Sequence, residues 1–167
     1  TSRAEYRLLL RQDNADIRLT EKAFELGLAK EDRLKRVQEK VSKSQELEAF
    51  LRETSLKPGH INPILESIES NPVDQAYRAS QFLTRPNITL EKLDQIDTIK
   101  EFSSQFDDEV REQAEVNIKY KGYIEKEKEN VAKLNRLENI KIPEDFDYKA
   151  ISSLSAEAKQ KMSNVRP

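Results

Sequence analysis

Across residues 30–53 the apolar positions Leu34, Val37, Val41, Leu47 and Leu51 recur at threes, fours and a skipped turn. That spacing draws one narrow apolar stripe along a helix and leaves every other face charged, with Arg33, Lys35, Arg36, Lys40 and Lys43 among the exposed positions. A segment of this kind buries one side only, so the rest of the chain must supply what covers it. Gly27 is placed to stop a short helix over residues 21–26, and Pro58-Gly59 breaks the long one. The charged face is either a solvated helix surface or a set of phosphate contacts, the first being the commoner arrangement.

A second long helix is expected from Asp107 to about Leu137, opened by Asp107-Asp108-Glu109, whose carboxylates suit the positive end of a helix dipole. Val116, Tyr120, Tyr123, Ile124, Val131 and Leu134 mark its expected buried stripe. Lys119, Lys121, Lys126 and Lys128 lie among them. Lysines beside tyrosines can grip phosphates and stack bases, and aromatic residues at helical spacing can equally be core with lysines reaching outward. Gly122 interrupts this helix at a cost of about 1 kcal/mol relative to alanine. Its place there is expected to reflect close approach by another segment, in the form of helix packing or of RNA.

Between the long helices the pattern is of short ones. Asn62-Pro63 is expected to open a helix through Ile64, Leu65 and Ile68, and Asn71-Pro72 another through Val73, Tyr77, Phe82 and Leu83. Asn87 or Thr89 starts a third with Leu90, Leu93 and Ile96, while His60 falls in the loop between. Beyond Ile142-Pro143, Phe146 and Tyr148 anchor a loop, and Ser155 caps a last helix that fades at Asn164. No strand-like alternation is found. The fold class is therefore all-α: an elongated helical domain with two long helices and a small bundle of short ones.

Composition agrees. Apolar and charged residues each make 36% of the 167, against a usual balance of about 45–50% and 25%, and there are only three glycines. The net charge of −2 argues against nucleic-acid binding through bulk charge. Residues 1–52 and 116–167 nevertheless hold slightly more lysine and arginine than acid, while 53–115 is acidic, which permits a local phosphate-binding face. No cysteine and a single histidine remove thiol chemistry and most metal sites. Gly27, Gly59 and Gly122 are too far apart for a dinucleotide fingerprint or a phosphate loop. The carboxylate pairs Asp107-Asp108 and Glu144-Asp145 read as helix starts and loops. There is no apolar run long enough to span a bilayer. On residues alone the chain is a binding or structural domain, not a catalytic one.

The first twenty residues, TSRAEYRLLLRQDNADIRLT, carry four arginines. Arg3, Arg7 and Arg11 fall four apart, which on a helix would stack three guanidinium groups in a row beside Leu8, Leu9 and Leu10. The turn formers over residues 12–16 should end that helix, with Arg18 in an extended or irregular segment and Thr20 capping the next helix.

This stretch resembles the segment that follows the flavin-binding part of the MnmG (GidA) family of tRNA wobble-uridine modification enzymes. EVNIKYKGYIE over residues 115–125, KIPEDFDY over 141–148 and LSAEAKQKMSNVRP over 154–167 resemble the same family in the same order. Residues 56–106 resemble it only loosely. The resemblance implies a parent enzyme that uses FAD with NADH as electron donor. With a GTPase partner, MnmE, it would install an aminomethyl or carboxymethylaminomethyl group on the wobble uridine of tRNA, drawing the carbon from methylenetetrahydrofolate. It implies a cytoplasmic location and a homodimer. The family's flavin fingerprint and cysteines have no counterpart here, so this piece is expected to hold no cofactor and to be inactive alone. Residues 1–20 would be the junction to the flavin-binding part and 21–167 a C-terminal helical domain, cut before the family's tail.

Two roles follow from the resemblance. In one the chain binds tRNA, with Arg3, Arg7, Arg11 and Arg18 reaching phosphates and Lys119 and Lys121 assisting; arginine's planar fork suits that contact. In the other it is a structural or protein-interaction module that docks the GTPase or a second subunit. Its arginines then pair with carboxylates, Glu5, Asp13 and Asp16 among them.

Overall fold

The structure, a computed structural model, describes residues 6–138, 141–143 and 146–166. Its contacts divide into two compact units, Thr1–Glu127 and Lys128–Pro167, the division falling inside one long helix. The all-α expectation holds. Two long helices, α2 (Glu31–Glu53) and α7 (Asp108–Glu138), are accompanied by short ones.

In the first unit α1 spans Ala15–Glu25 and is stopped at Gly27, whose φ of +71° is reached without strain only by glycine. α2 follows and turns its Leu47 and Leu51 fully inward. Its earlier apolar positions Leu34, Val37 and Val41 are half-buried, so the stripe deepens toward the C-terminal end. The short helices α3 (Pro58–Ser67), α4 (Ala79–Leu83), α5 (Leu90–Leu93) and α6 (Asp97–Ser103) close over that end. Ile61, Leu65, Phe82, Leu83, Leu93 and Ile99 fill the space between them. Each such side chain contributes about 1.5–3 kcal/mol on leaving water, which suffices to hold helices too short to form alone. Phe50 stacks on Phe102 with ring centroids 4.0 Å apart.

Several local features differ from the sequence expectations. α3 begins at Pro58 and not at Asn62-Pro63: proline at the first helical position gives up an N–H that has no partner there anyway. His60 therefore lies exposed on a helix and not in a loop. Asn62 has a different task. Its amide accepts from Val73 N–H at 2.9 Å and donates to Val73 O at 3.0 Å, clamping the irregular segment that follows. That segment ends in a two-residue antiparallel pair, β1 (Ser55–Leu56) with β2 (Tyr77–Arg78), in the register Ser55–Arg78 and Leu56–Tyr77. α5 starts as expected at Thr89, whose hydroxyl accepts from Lys92 N–H.

The arginine row is not helical over its described part. Tyr6 adopts φ 56°, and its carbonyl accepts from both Leu9 and Leu10 N–H, folding residues 6–10 into a tight turn. Helix begins only at Ala15, so Arg18 and Thr20 lie inside α1, and Thr20 is buried instead of capping. The sequence boundary at residue 20 thus falls within a helix. Arg3 and Glu5 lie outside the described residues.

α7 starts where expected, with Asp107 Oδ1 accepting from Val110 N–H at 2.9 Å. Its inward stripe is Val110, Gln113, Ala114 and Ile118, rotated from the stripe expected from apolar residues alone. Val116 and Ile124 are half-buried, while Tyr120, Tyr123 and Leu134 are exposed. The reason is that the buried face uses an amide and a small residue, Gln113 and Ala114, that a count of apolar side chains passes over. Helix packing does not explain Gly122 either, since a Cβ there would meet nothing of the described chain within 4 Å.

The second unit contains the end of α7, a 3₁₀ turn at Tyr148–Ala150 and α8 (Ala156–Val165). Phe146 and Tyr148 anchor it as expected, their rings 5.1 Å apart edge to face with Tyr148 buried. Ser155 caps α8 by accepting from Ala158 N–H at 3.2 Å. Glu144 and Asp145 lie outside the described residues.

Candidate functional site

Arg11 is the most heavily engaged of the candidate cations. Its Nε and one terminal nitrogen donate to the two oxygens of Asp13, both at 2.9 Å, and the other terminal nitrogen donates to Leu8 O at 2.8 Å. The guanidinium also stands 5.8 Å from the centre of the Tyr120 ring on α7, inside the range of a cation–π contact. Arg11 thus braces the turn 6–10 against α7, with its side chain only 16% exposed. The hydrogen bonds from Arg11 hold the Asp13 carboxyl below its usual range, against a smaller opposing effect of burial.

A polar chain runs between α7 and α2. Gln113, almost fully buried, donates to Asn117 Oδ1 at 2.9 Å. Asn117 donates in turn to Glu48 Oε1 on α2 at 2.8 Å, and Glu48 Oε2 accepts from Arg52 at 2.8 Å. Asn117 uses both ends of its amide, and no buried side-chain polar atom among the described residues is left without a partner. A fully satisfied network of this sort fixes the register of α2 on α7.

Arg52 opens onto a groove of about 770 Å³ between the end of α2, α4 and the middle of α7. Lys119, Lys121, Lys126, Tyr123 and Thr84 line it as well, with Gly122 keeping its α7 wall low. Lys119 is held by Glu115 at 2.6 Å, and the other Glu115 oxygen accepts from Leu90 N–H at 2.8 Å. Lys121 makes a loose pair with Glu125 at 3.8 Å, both exposed. Lys126 is exposed, and Tyr123 is 64% exposed.

The structure therefore separates the sequence candidates. Lys119 and Lys121 share the groove. Arg7 is exposed on the N-terminal turn, and Arg18 is exposed on α1 with its Nε donating to Asn14 Oδ1 at 2.8 Å. Arg11 is committed internally. Of the other groove residues, Arg52 and Thr84 carried no signal in the sequence, whereas Tyr123 and Lys126 belong to the lysine–tyrosine pattern of α7. Part of the signal was readable, because Lys119 and Lys126 are seven apart and lie on one helix face, with Tyr123 between them.

No group of three or more histidine or carboxylate side chains suited to a metal occurs among the described residues. Among the described residues the strands form only a two-residue antiparallel pair, and no glycine-rich turn joins a strand to a helix. No helix of the described residues is long and apolar enough to cross a membrane.

Comparison with known proteins accounts for this arrangement. Residues 31–128 match the family described as tRNA modifying enzyme MnmG/GidA C-terminal helical domain. Residues 130–167 match the MnmG/GidA C-terminal helical bundle, so the two matches meet close to the division between the structural units. The tRNA uridine 5-carboxymethylaminomethyl modification enzyme MnmG of Flavobacterium johnsoniae is 53% identical over 97% of this chain and 26% of its own length. That of Christiangramia forsetii is 48% identical over 100% of this chain and 27% of its own. The crystal structure of Aquifex aeolicus GidA (form II) superposes with a TM-score of 0.61 at 30% identity, over 99% of this chain and 25% of that one. This chain thus spans about a quarter of the length of the curated relatives it matches, and it belongs to the MnmG/GidA family of tRNA-modifying enzymes, as their C-terminal helical region.

Proposed function

We propose that the chain serves a cytoplasmic tRNA wobble-uridine modification enzyme as its tRNA-holding and partner-docking region. The observation that carries this reading is the pair of successive family matches, which together take in residues 31–128 and 130–167. The aminomethyl or carboxymethylaminomethyl chemistry, with FAD and NADH, is assigned to the rest of such an enzyme, of which this chain spans about a quarter. Residues 1–20 are the proposed junction to that part, and 21–167 the proposed helical domain. The contribution of this chain is to hold the RNA backbone with Arg3, Arg7, Arg18, Lys119 and Lys121. Arg11 organises the turn that carries Arg7.

A docking role has support of its own. Leu19, Phe24, Leu26 and Leu28 are exposed in close succession at the end of α1 and just beyond it, an apolar surface suited to another protein. An MnmE-type GTPase, or a second copy of the enzyme in a homodimer, is the proposed occupant.

Salt dependence tests the first role. The chain should bind tRNA at about 50 mM salt and lose at least tenfold in affinity by about 200 mM, as expected when several phosphates are neutralised. Changing Arg7 and Arg18 to alanine should flatten that dependence while circular dichroism stays helical. If the chain shows no tRNA binding at low salt, holding RNA is not its role and docking becomes the better account.

A further inference from the structure

We propose that the groove between the end of α2, α4 and the middle of α7 seats one phosphodiester strand of RNA, with an unstacked base on the Tyr123 ring. This rests on the tRNA-holding reading above and specifies where the strand lies. Four cations, Arg52, Lys119, Lys121 and Lys126, line the groove, and the first three are each paired with a glutamate, Glu48, Glu115 and Glu125. Each paired cation keeps further N–H donors for an oxyanion, and cations gathered in a concave surface draw in phosphate.

Two of the cations are held in place in advance. Glu48 grips Arg52 while its second oxygen is tied to Asn117, and Glu115 grips Lys119 while its second oxygen caps the first turn of α5. Both carboxylates are anchored to a second element, so the cations they hold do not have to be ordered when a ligand arrives. Lys121 and Lys126, both exposed, supply the mobile charge.

The wall at Gly122 separates an RNA strand from a bare anion as the occupant. No atom stands within 4 Å of where its Cβ would be, so a flat ring can reach the α7 backbone beside Tyr123. Tyr123 offers the stacking face that the lysines lack, and such stacking tolerates any base. Ser80, Gln81 and Thr84 on the opposite wall add hydroxyl and amide groups suited to phosphate or ribose oxygens.

The test is a titration of the isotopically labelled chain with a five-residue uridine oligonucleotide, followed by amide chemical shifts. Parallel titrations use inorganic phosphate and a polyglutamate peptide, and full tRNA binding is measured beside them. The Gly122 and Thr84 amides should move with the oligonucleotide and move little with phosphate at equal phosphate concentration. Arg52→Ala with Lys126→Ala should weaken tRNA binding about tenfold, and Tyr123→Ala about fivefold, whereas Tyr123→Phe should bind like the parent. If tRNA binds and these variants bind it equally well, the groove is not the seat, although the tRNA-holding reading survives. If polyglutamate moves the same amides as strongly as RNA, the groove serves an acidic protein segment and the proposal fails. If tRNA does not bind at all, both readings fall.

Discussion

Arg11 and Lys126 look alike in the sequence: each is a cation on a segment with aromatic or leucine neighbours, and each invites a phosphate. In the structure they have opposite fates. Arg11 has Asp13 two residues away, a backbone carbonyl at Leu8 and the Tyr120 ring, and these engage all three of its guanidinium nitrogens and its face. Lys126 extends from the exposed side of α7, where the neighbouring Tyr123 also faces solvent. A cation's residue type and spacing say little about function until the acids within its reach are placed. The N-terminal turn is held together from inside, and the groove has charge to offer outside.

The largest expected effect that sharpens this contrast is on Arg11. Arg11→Ala should destabilise the chain by about 2 kcal/mol, read by chemical denaturation, because Asp13 keeps its charge and loses its partner. Lys126→Ala should change stability by under about 1 kcal/mol, since Lys126 is exposed on α7 and an exposed charge is worth little to stability. Equal destabilisation by the two variants would erase the distinction.

Acid provides a second way to break it. The Asp13 carboxyl is held below its ordinary value by Arg11, so the bridge contributes fully above the unfolded-state pKa near 3.8 and is lost as pH falls through the lower folded value. The parent should therefore lose stability between about pH 4 and the lowered pKa more steeply than Asp13→Asn, which has no such carboxyl to protonate. Superimposable acid-unfolding curves would show that the bridge contributes nothing.

The smallest effect belongs to the groove wall. Gly122→Ala should raise stability by about 0.5–1 kcal/mol, because the helix gains propensity and the added methyl meets no neighbour. A loss of stability, seen as a lower melting temperature, would mean that the wall is packed after all.

The sequence carried the architecture where a single interaction decides it. The stop at Gly27 and the caps at Thr89, Asp107 and Ser155 that start their helices all depend on neighbours within one turn. It misled where a distant partner decides. The turn at 6–10 follows from Arg11 finding Asp13 and Tyr120, and four-residue spacing of arginines cannot report that. The rotation of α7 follows from Gln113 and Asn117 joining a chain that reaches Glu48, sixty-nine residues from Asn117. Half the groove was legible, because Lys119 and Lys121 share α7 with the KYKGY run. Arg52 and Thr84 come from other helices, and only the fold brings them there.

The most direct test of the contrast is the slope of log binding constant against log salt for tRNA, compared among the parent, Arg52→Ala with Lys126→Ala, and Arg11→Ala kept well below its melting temperature. Loss of two phosphate contacts from the groove should lower the slope by about 1.4–1.8, whereas loss of Arg11 should leave it unchanged. A slope that falls with Arg11 and holds steady in the groove variant would contradict the assignment of the two regions.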